Sequence, residues 1–143
     1  IDLVYSPLVD CKEYPTDVDV CLVEGAVSST DDLKKIRMVR ARTRMLVAFG
    51  DCAVTTNVPG MRNPIGTGPV LRRAYLETAS INQRLPDEVV PELLPQVLPV
   101  GHVVTVDCYL PGCPPSADAF WVFLTDLMAG RTPHLGHGLL HYD

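Results

Sequence analysis

Cys113 sits in Pro111-Gly112-Cys113-Pro114-Pro115, at the end of an apolar run from Val103 to Leu110. Three prolines and a glycine leave its backbone few alternatives, because proline fixes φ and removes a donor while glycine permits the turn. Such a setting suits a thiolate aimed at a metal better than a structural thiol. Cys52 is placed alike. It follows Met45-Leu46-Val47-Ala48-Phe49-Gly50-Asp51, where a buried strand leaves its sheet. In open α/β sheets, ligands bind beyond the carboxyl ends of the strands. Two cysteines at two strand ends are half of the ligand set of an iron–sulfur site.

The other three cysteines read differently. Cys11 lies in a loop beside Lys12 and Glu13, as an incidental surface thiol. Cys21 is mid-strand and Cys108 is inside the apolar run; each reads as a small buried apolar residue. An odd cysteine count argues against a disulfide framework. The absence of C-x-x-C argues against a zinc ribbon built from these residues. His134, His137 and His141 have a spacing that could hold a metal, but glycines surround them and no helix is evident. They read as a loosely ordered or partner-bound tail. Gly66-Thr67-Gly68 lacks the lysine and the preceding strand of a phosphate loop.

The elements that must position the two cysteines follow from apolar patterning. Ile1–Tyr5 reads as a short strand already under way, without an initiator methionine, so an upstream piece is expected. Val18–Val23 is a second strand, apolar enough to be covered on both faces. It ends at Glu24-Gly25, where the carboxylate is either functional or simply the start of a loop. Ser28-Ser29-Thr30-Asp31-Asp32 opens a helix to about Arg42, with hydroxyl caps and acids at its positive end. Leu33, Ile36 and Val39 form its buried stripe. Lys34, Lys35, Arg37, Arg40 and Arg42 read as a solvated or partner-facing side. Met45–Phe49 is a third strand. The long loop after it holds Gly50 and Gly60, which allow close backbone approach, and amides that can bond to sulfide or thiolate. A helix is expected over Pro69–Ile81, with Leu71, Ala74, Tyr75 and Thr78 on one side. Asn82–Gly101 is proline-rich and irregular, with a helical turn over Val89–Leu94. Val103–Leu110 is the fourth strand. Ser116 caps a last helix whose Ala117, Phe120, Trp121, Leu124, Leu127 and Met128 read as core, and Gly130 stops it. Strands alternating with helices predict an α/β domain, a parallel sheet with helices on both faces.

The chain has 143 residues, 47% of them apolar and 20% charged, which is enough for one domain with its own core. A formal net charge of −5 without a basic stripe argues against nucleic acid or a membrane surface as partner. No apolar run approaches the roughly 20 residues that span a bilayer.

Three stretches resemble the small subunit of nickel–iron hydrogenases, in particular the short one of the cytoplasmic, bidirectional NAD-reducing type. They are Val20-Cys21-Leu22-Val23-Glu24-Gly25-Ala26-Val27, then Gly50-Asp51-Cys52-Ala53-Val54 with Val58-Pro59-Gly60-Met61-Arg62-Asn63, and Tyr109 to Ala119 around Cys113. The last is shared with the iron–sulfur subunit of respiratory complex I, so it leaves a complex-I-like subunit as an alternative.

The resemblance implies a single flavodoxin-like domain over residues 1–143 that lacks its first strand and helix. It implies one 4Fe–4S cluster, proximal to the nickel–iron site of a large-subunit partner. Cys52 and Cys113 match two of its four thiolate ligands. The other two belong to a C-x-x-C loop that has no counterpart here and is expected upstream of Ile1. Glu24, Gly25, Gly50, Asp51, Pro59, Pro111, Gly112 and Pro114 would surround the cluster. Electrons would pass to iron–sulfur and flavin diaphorase subunits, and none of these residues need be catalytic. A rival is a flavodoxin-type electron carrier, with FMN near the loops after Glu24 and Asp51, although no specific motif supports a flavin. A second rival is a structural subunit without a cluster.

Overall fold

The computed structural model describes residues 1–6 and 8–140. Its strands, numbered along the chain, are β1 (Val18–Glu24), β2 (Val27–Ser29), β3 (Thr43–Phe49), β4 (Leu93–Leu98) and β5 (Cys108–Leu110). β1, β3 and β5 form a parallel sheet in the order β1-β3-β5, while β2 and β4 pair antiparallel beside it. Parallel neighbours cannot be joined by a tight turn. The chain therefore crosses from β1 to β3 through helix α1 (Thr30–Ala41).

β3 is the centre of the core. Successive side chains of a strand point to opposite faces. Leu46 and Ala48 pack with Ile36 and Val39 of α1. Val47 packs with Leu110 and with Ala119 and Phe123 of helix α5 (Ala117–Met128). Leu46, Val47 and Ala48 are all fully buried, as a strand covered on both faces requires. β1 does not meet that expectation. It is an edge strand among the described residues, and Val20 and Leu22 each remain 37% exposed.

α1 forms as its local sequence dictates. Ser29 Oγ accepts the Asp32 N–H at 3.1 Å, and the Asp32 carboxylate accepts the Ser29 N–H at 2.9 Å, a reciprocal capping box. Arg40 is half-buried and not part of a solvated face, whereas Arg42 is exposed, as that reading expects. Arg40 donates to the carbonyls of Thr43 and Arg44 and to the Asp107 carboxylate. Asp107 in turn accepts the Leu46 N–H at 2.7 Å. Arg42 donates to the Tyr14 carbonyl. These two arginines tie the end of α1 to the sheet and to the preceding loop.

Several other expectations are corrected. Ile1–Tyr5 is not a strand; Ile1, Leu3 and Val4 are exposed and make no ladder. The loop after β3 contains two short helices, α2 (Asp51–Thr55) and α3 (Asn57–Gly60). The next helix is α4 (Thr67–Arg72), continued by a π-turn over Arg73–Glu77, and none of its residues is buried. No helical turn occupies Val89–Leu94, because the chain enters β4 there to pair with β2. The strand expected over Val103–Leu110 is only Cys108–Leu110. Before it, Val100–His102 makes a 3₁₀ turn. On α5, Trp121 and Met128 are exposed and Phe123 is the buried anchor. Gly130, at φ +68°, ends α5 with paired bonds from Gly130 N–H to Leu127 O and from Arg131 N–H to Asp126 O.

Candidate metal centre

The carboxyl ends of the three parallel strands are in register: Glu24 pairs with Phe49, and Phe49 with Leu110. The loops that follow them therefore leave one edge of the sheet. Gly50 N–H donates to Leu110 O at 2.8 Å, extending the β3–β5 ladder by one bond. Next, Asp51 N–H donates to Gly112 O at 3.0 Å, and Gly112 N–H donates to Asp51 Oδ1 at 2.7 Å. Asp51 directly precedes Cys52, and Gly112 directly precedes Cys113. A reciprocal pair of hydrogen bonds thus joins the two cysteine turns. Asp51 is 2% exposed, so these bonds are made away from water.

Glycine is required at Gly112. Its φ is +129°, and a Cβ there would lie 2.6 Å from Pro115 Cα and 2.8 Å from Pro115 N. Gly50 has φ +81°, and a Cβ there would sit 3.4 Å from Gly112 O. Pro111, Gly112 and Pro115 are buried, whereas Cys113 and Pro114, joined by a cis peptide bond, are exposed. Cys52 is half-buried in the first turn of α2. All five cysteines are free thiols.

The remaining candidates divide. Glu24 is exposed at the same sheet edge, and Gly25 turns there at φ +89° with open space around it. Pro59 is half-buried in α3, which packs against β4. The role of Arg62 and Asn63 is not visible in the sequence. Arg62 donates to Ser28 O and Leu94 O, and Asn63 exchanges two hydrogen bonds with Val97. They lock the loop after Cys52 onto β4. Cys11 is exposed and donates to Glu13 O. Burial pushes the Cys21 and Cys108 thiols up, which keeps them protonated and poor as ligands. His134 and His137 are exposed, and His141 lies outside the described residues. Among the described residues, no three His, Cys, Asp or Glu side chains converge to hold a metal ion.

Two soft sulfur donors at one sheet edge, on turns fixed to each other, fit thiolate ligation of an iron–sulfur cluster. Such a set has four positions, of which Cys52 and Cys113 would supply two. Among the described residues, no helix is long and apolar enough to cross a membrane.

The family model for the NADH ubiquinone oxidoreductase, 20 Kd subunit, matches residues 1–127. The delta subunit of the NAD-reducing hydrogenase HoxS of Cupriavidus necator is 33% identical, over 100% of this chain and 71% of that protein. One of the proteins of the vhu F420-non-reducing hydrogenase of Methanococcus voltae is 35% identical over 94% of this chain; the match spans 48% of that protein, about half its length. Among solved structures, a chain of an NAD+-reducing [NiFe]-hydrogenase in the H2-reduced state superposes with a TM-score of 0.91 and 39% identity, covering 96% of this chain and 79% of that one. On the family match, the sequence identities and the shared flavodoxin-like α/β fold, the chain belongs to the NADH ubiquinone oxidoreductase 20 Kd subunit family.

Proposed function

We propose that this chain is the electron-transfer small subunit of an NAD-reducing nickel–iron hydrogenase, with Cys52 and Cys113 as two of the four thiolate ligands of a proximal 4Fe–4S cluster. The observation that carries the reading is the Asp51–Gly112 junction, which sets both cysteines at the carboxyl edge of one sheet. The names of the relatives support the hydrogenase part of it. The cluster, when bound, supplies one-electron transfer between the nickel–iron site of the large subunit and the iron–sulfur and flavin diaphorase subunits.

The chain's own residues ligate and shape. Cys52 and Cys113 give soft donors. Pro111, Gly112 and Pro114 fix the second of them in backbone with little freedom. Gly50 lets the first turn lie against the second. Glu24 and Gly25 border the same edge, and Pro59 belongs to the loop that closes behind Cys52. The two further thiolates of the set come from a C-x-x-C segment, which residues 1–143 do not contain. The working compartment is the cytoplasm, where NAD is the acceptor.

An absorption spectrum of the anaerobically purified full-length protein tests the reading. Broad iron–sulfur charge-transfer absorption that bleaches on reduction is expected. Resolved flavin bands, without acid-labile sulfide, would favour a flavodoxin-type carrier instead.

A further inference from the structure

We infer that Asp51 is the positioning residue of the centre: its carboxylate holds the Cys113 turn against the Cys52 turn, and so sets how the two thiolates converge. The inference rests on the ligand reading above and deepens it.

Three observations lead to it. Asp51 is one of three polar residues in the described core; of the other two, Ser29 caps α1, and Thr43 bonds Val39 O and the Tyr14 hydroxyl, away from either cysteine turn. Asp51 instead reaches across 61 residues to the Gly112 N–H at 2.7 Å. The carboxylate and the backbone of one residue thus grip both polar groups of Gly112. Finally, the two residues so joined are the immediate neighbours of the two ligands, so a shift in this pair moves both thiols relative to each other. The Gly112 amide is also occupied by Asp51, and is therefore not a donor to sulfur.

The bond from the Gly112 N–H needs an acceptor oxygen at this reach. Asn keeps such an oxygen, whereas Ala removes it and leaves a buried N–H without a partner. Groups that hold metal ligands in place typically change affinity by about 10- to 100-fold when lost.

The test compares wild type, Asp51→Asn, Asp51→Ala and Val39→Ala in the full-length protein. Val39 is a buried residue of α1, and its truncation lowers stability without touching either turn. Iron release to a chelator is timed after anaerobic reconstitution. Amide hydrogen exchange over residues 110–116 is read on the same proteins. Release about 10- to 100-fold faster in Asp51→Ala, near wild type in Asp51→Asn, with exchange protection lost only in Asp51→Ala, is the expected result. Equal release in Asp51→Ala and wild type would overturn the inference. So would equally fast release in Val39→Ala, or in Asp51→Asn with protection retained. If wild type takes up no iron and sulfide, the ligand reading fails. Cadmium alone is then the probe. Its thiolate absorption should weaken in Cys52→Ser, Cys113→Ser and Asp51→Ala but not in Asp51→Asn, and equal cadmium affinity in Asp51→Ala and wild type would overturn the positioning role.

Discussion

Gly112→Ala should be among the most damaging one-carbon changes in this chain, and the structure separates its causes. The added Cβ would meet Pro115 Cα at 2.6 Å, Pro115 N at 2.8 Å and Pro114 O at 3.0 Å. All three atoms are main chain, so no flexible side chain can swing away. The φ of +129° is a second penalty, independent of space. Strain of this kind costs about 1–2 kcal/mol, and relieving an overlap by backbone shifts costs about 1–3 kcal/mol. The two together come to about 2–5 kcal/mol. In a domain of this size each kcal/mol lowers the melting temperature by about 3–4 °C, so a fall of about 6–20 °C follows. Gly25→Ala is the internal control. Gly25 has φ +89° and nothing within 4 Å of its added Cβ, so only the strain remains, about 1–2 kcal/mol. Urea unfolding of the two variants beside wild type measures the difference directly. Equal destabilisation in both, or a larger effect at Gly25, would refute the argument that the Cys113 turn is closed on itself by contact.

The other predictions concern the core, the cap and pH. Phe123→Ala should cost about 3–5 kcal/mol because Phe123 is fully buried, whereas Trp121→Ala, at 69% exposure, should stay within about 0.5 kcal/mol; thermal unfolding of both reads this. Ser29→Ala removes the Oγ that caps α1 and should lose about 1 kcal/mol in urea titration. The Leu46 N–H and then Arg40 hold the Asp107 carboxyl below the usual range. At Asp32 burial pushes the other way, but the Ser29 and Ser28 donors outweigh it and the net shift is also downward. A carboxyl depressed by folding adds stability above its unfolded pKa and loses it as pH falls through the folded one. Wild-type stability should therefore decline on acidification below about pH 4, and Asp107→Asn should show a shallower decline in urea midpoints taken from about pH 5 to about pH 2.

What the sequence reveals depends on how local the cause is. α1 is legible because Ser29, Asp32, Ile36 and Val39 lie within a few turns of one another and cap, charge and stripe agree. The parallel sheet follows from apolar runs separated by helical stretches, and β3 is buried on both faces as its run of Met45 to Phe49 implies. β5 is shorter than its apolar run because Val103–Val106, though as apolar as a strand, makes no ladder. Asp107, through Arg40 and the Leu46 N–H, instead anchors the end of an irregular approach. β4 is hidden in the sequence because its partner β2 is only three residues long and Pro95 breaks the pattern. The phase of α5 differs from the expected one by part of a turn. Its buried side is centred on Ala119 and Phe123, which face Val47 and Leu110, and only the sheet decides that.

At the candidate centre, the types and settings of Cys52 and Cys113 are readable from the sequence. The bonds that bring their turns together are not, since Asp51 and Gly112 are 61 residues apart. Arg40, which looks like part of a charged face, is a fastener for the same reason, bonding to carbonyls beyond the end of its helix and to Asp107.

The most direct measurement is iron and acid-labile sulfide per chain in the anaerobically purified full-length protein, for wild type and for Cys52→Ser, Cys113→Ser and Cys11→Ser. Four irons and four sulfides are expected in wild type and in Cys11→Ser, as a 4Fe–4S cluster requires, with loss or conversion of the cluster in the other two. A full, spectroscopically unchanged cluster in both Cys52→Ser and Cys113→Ser would contradict the account.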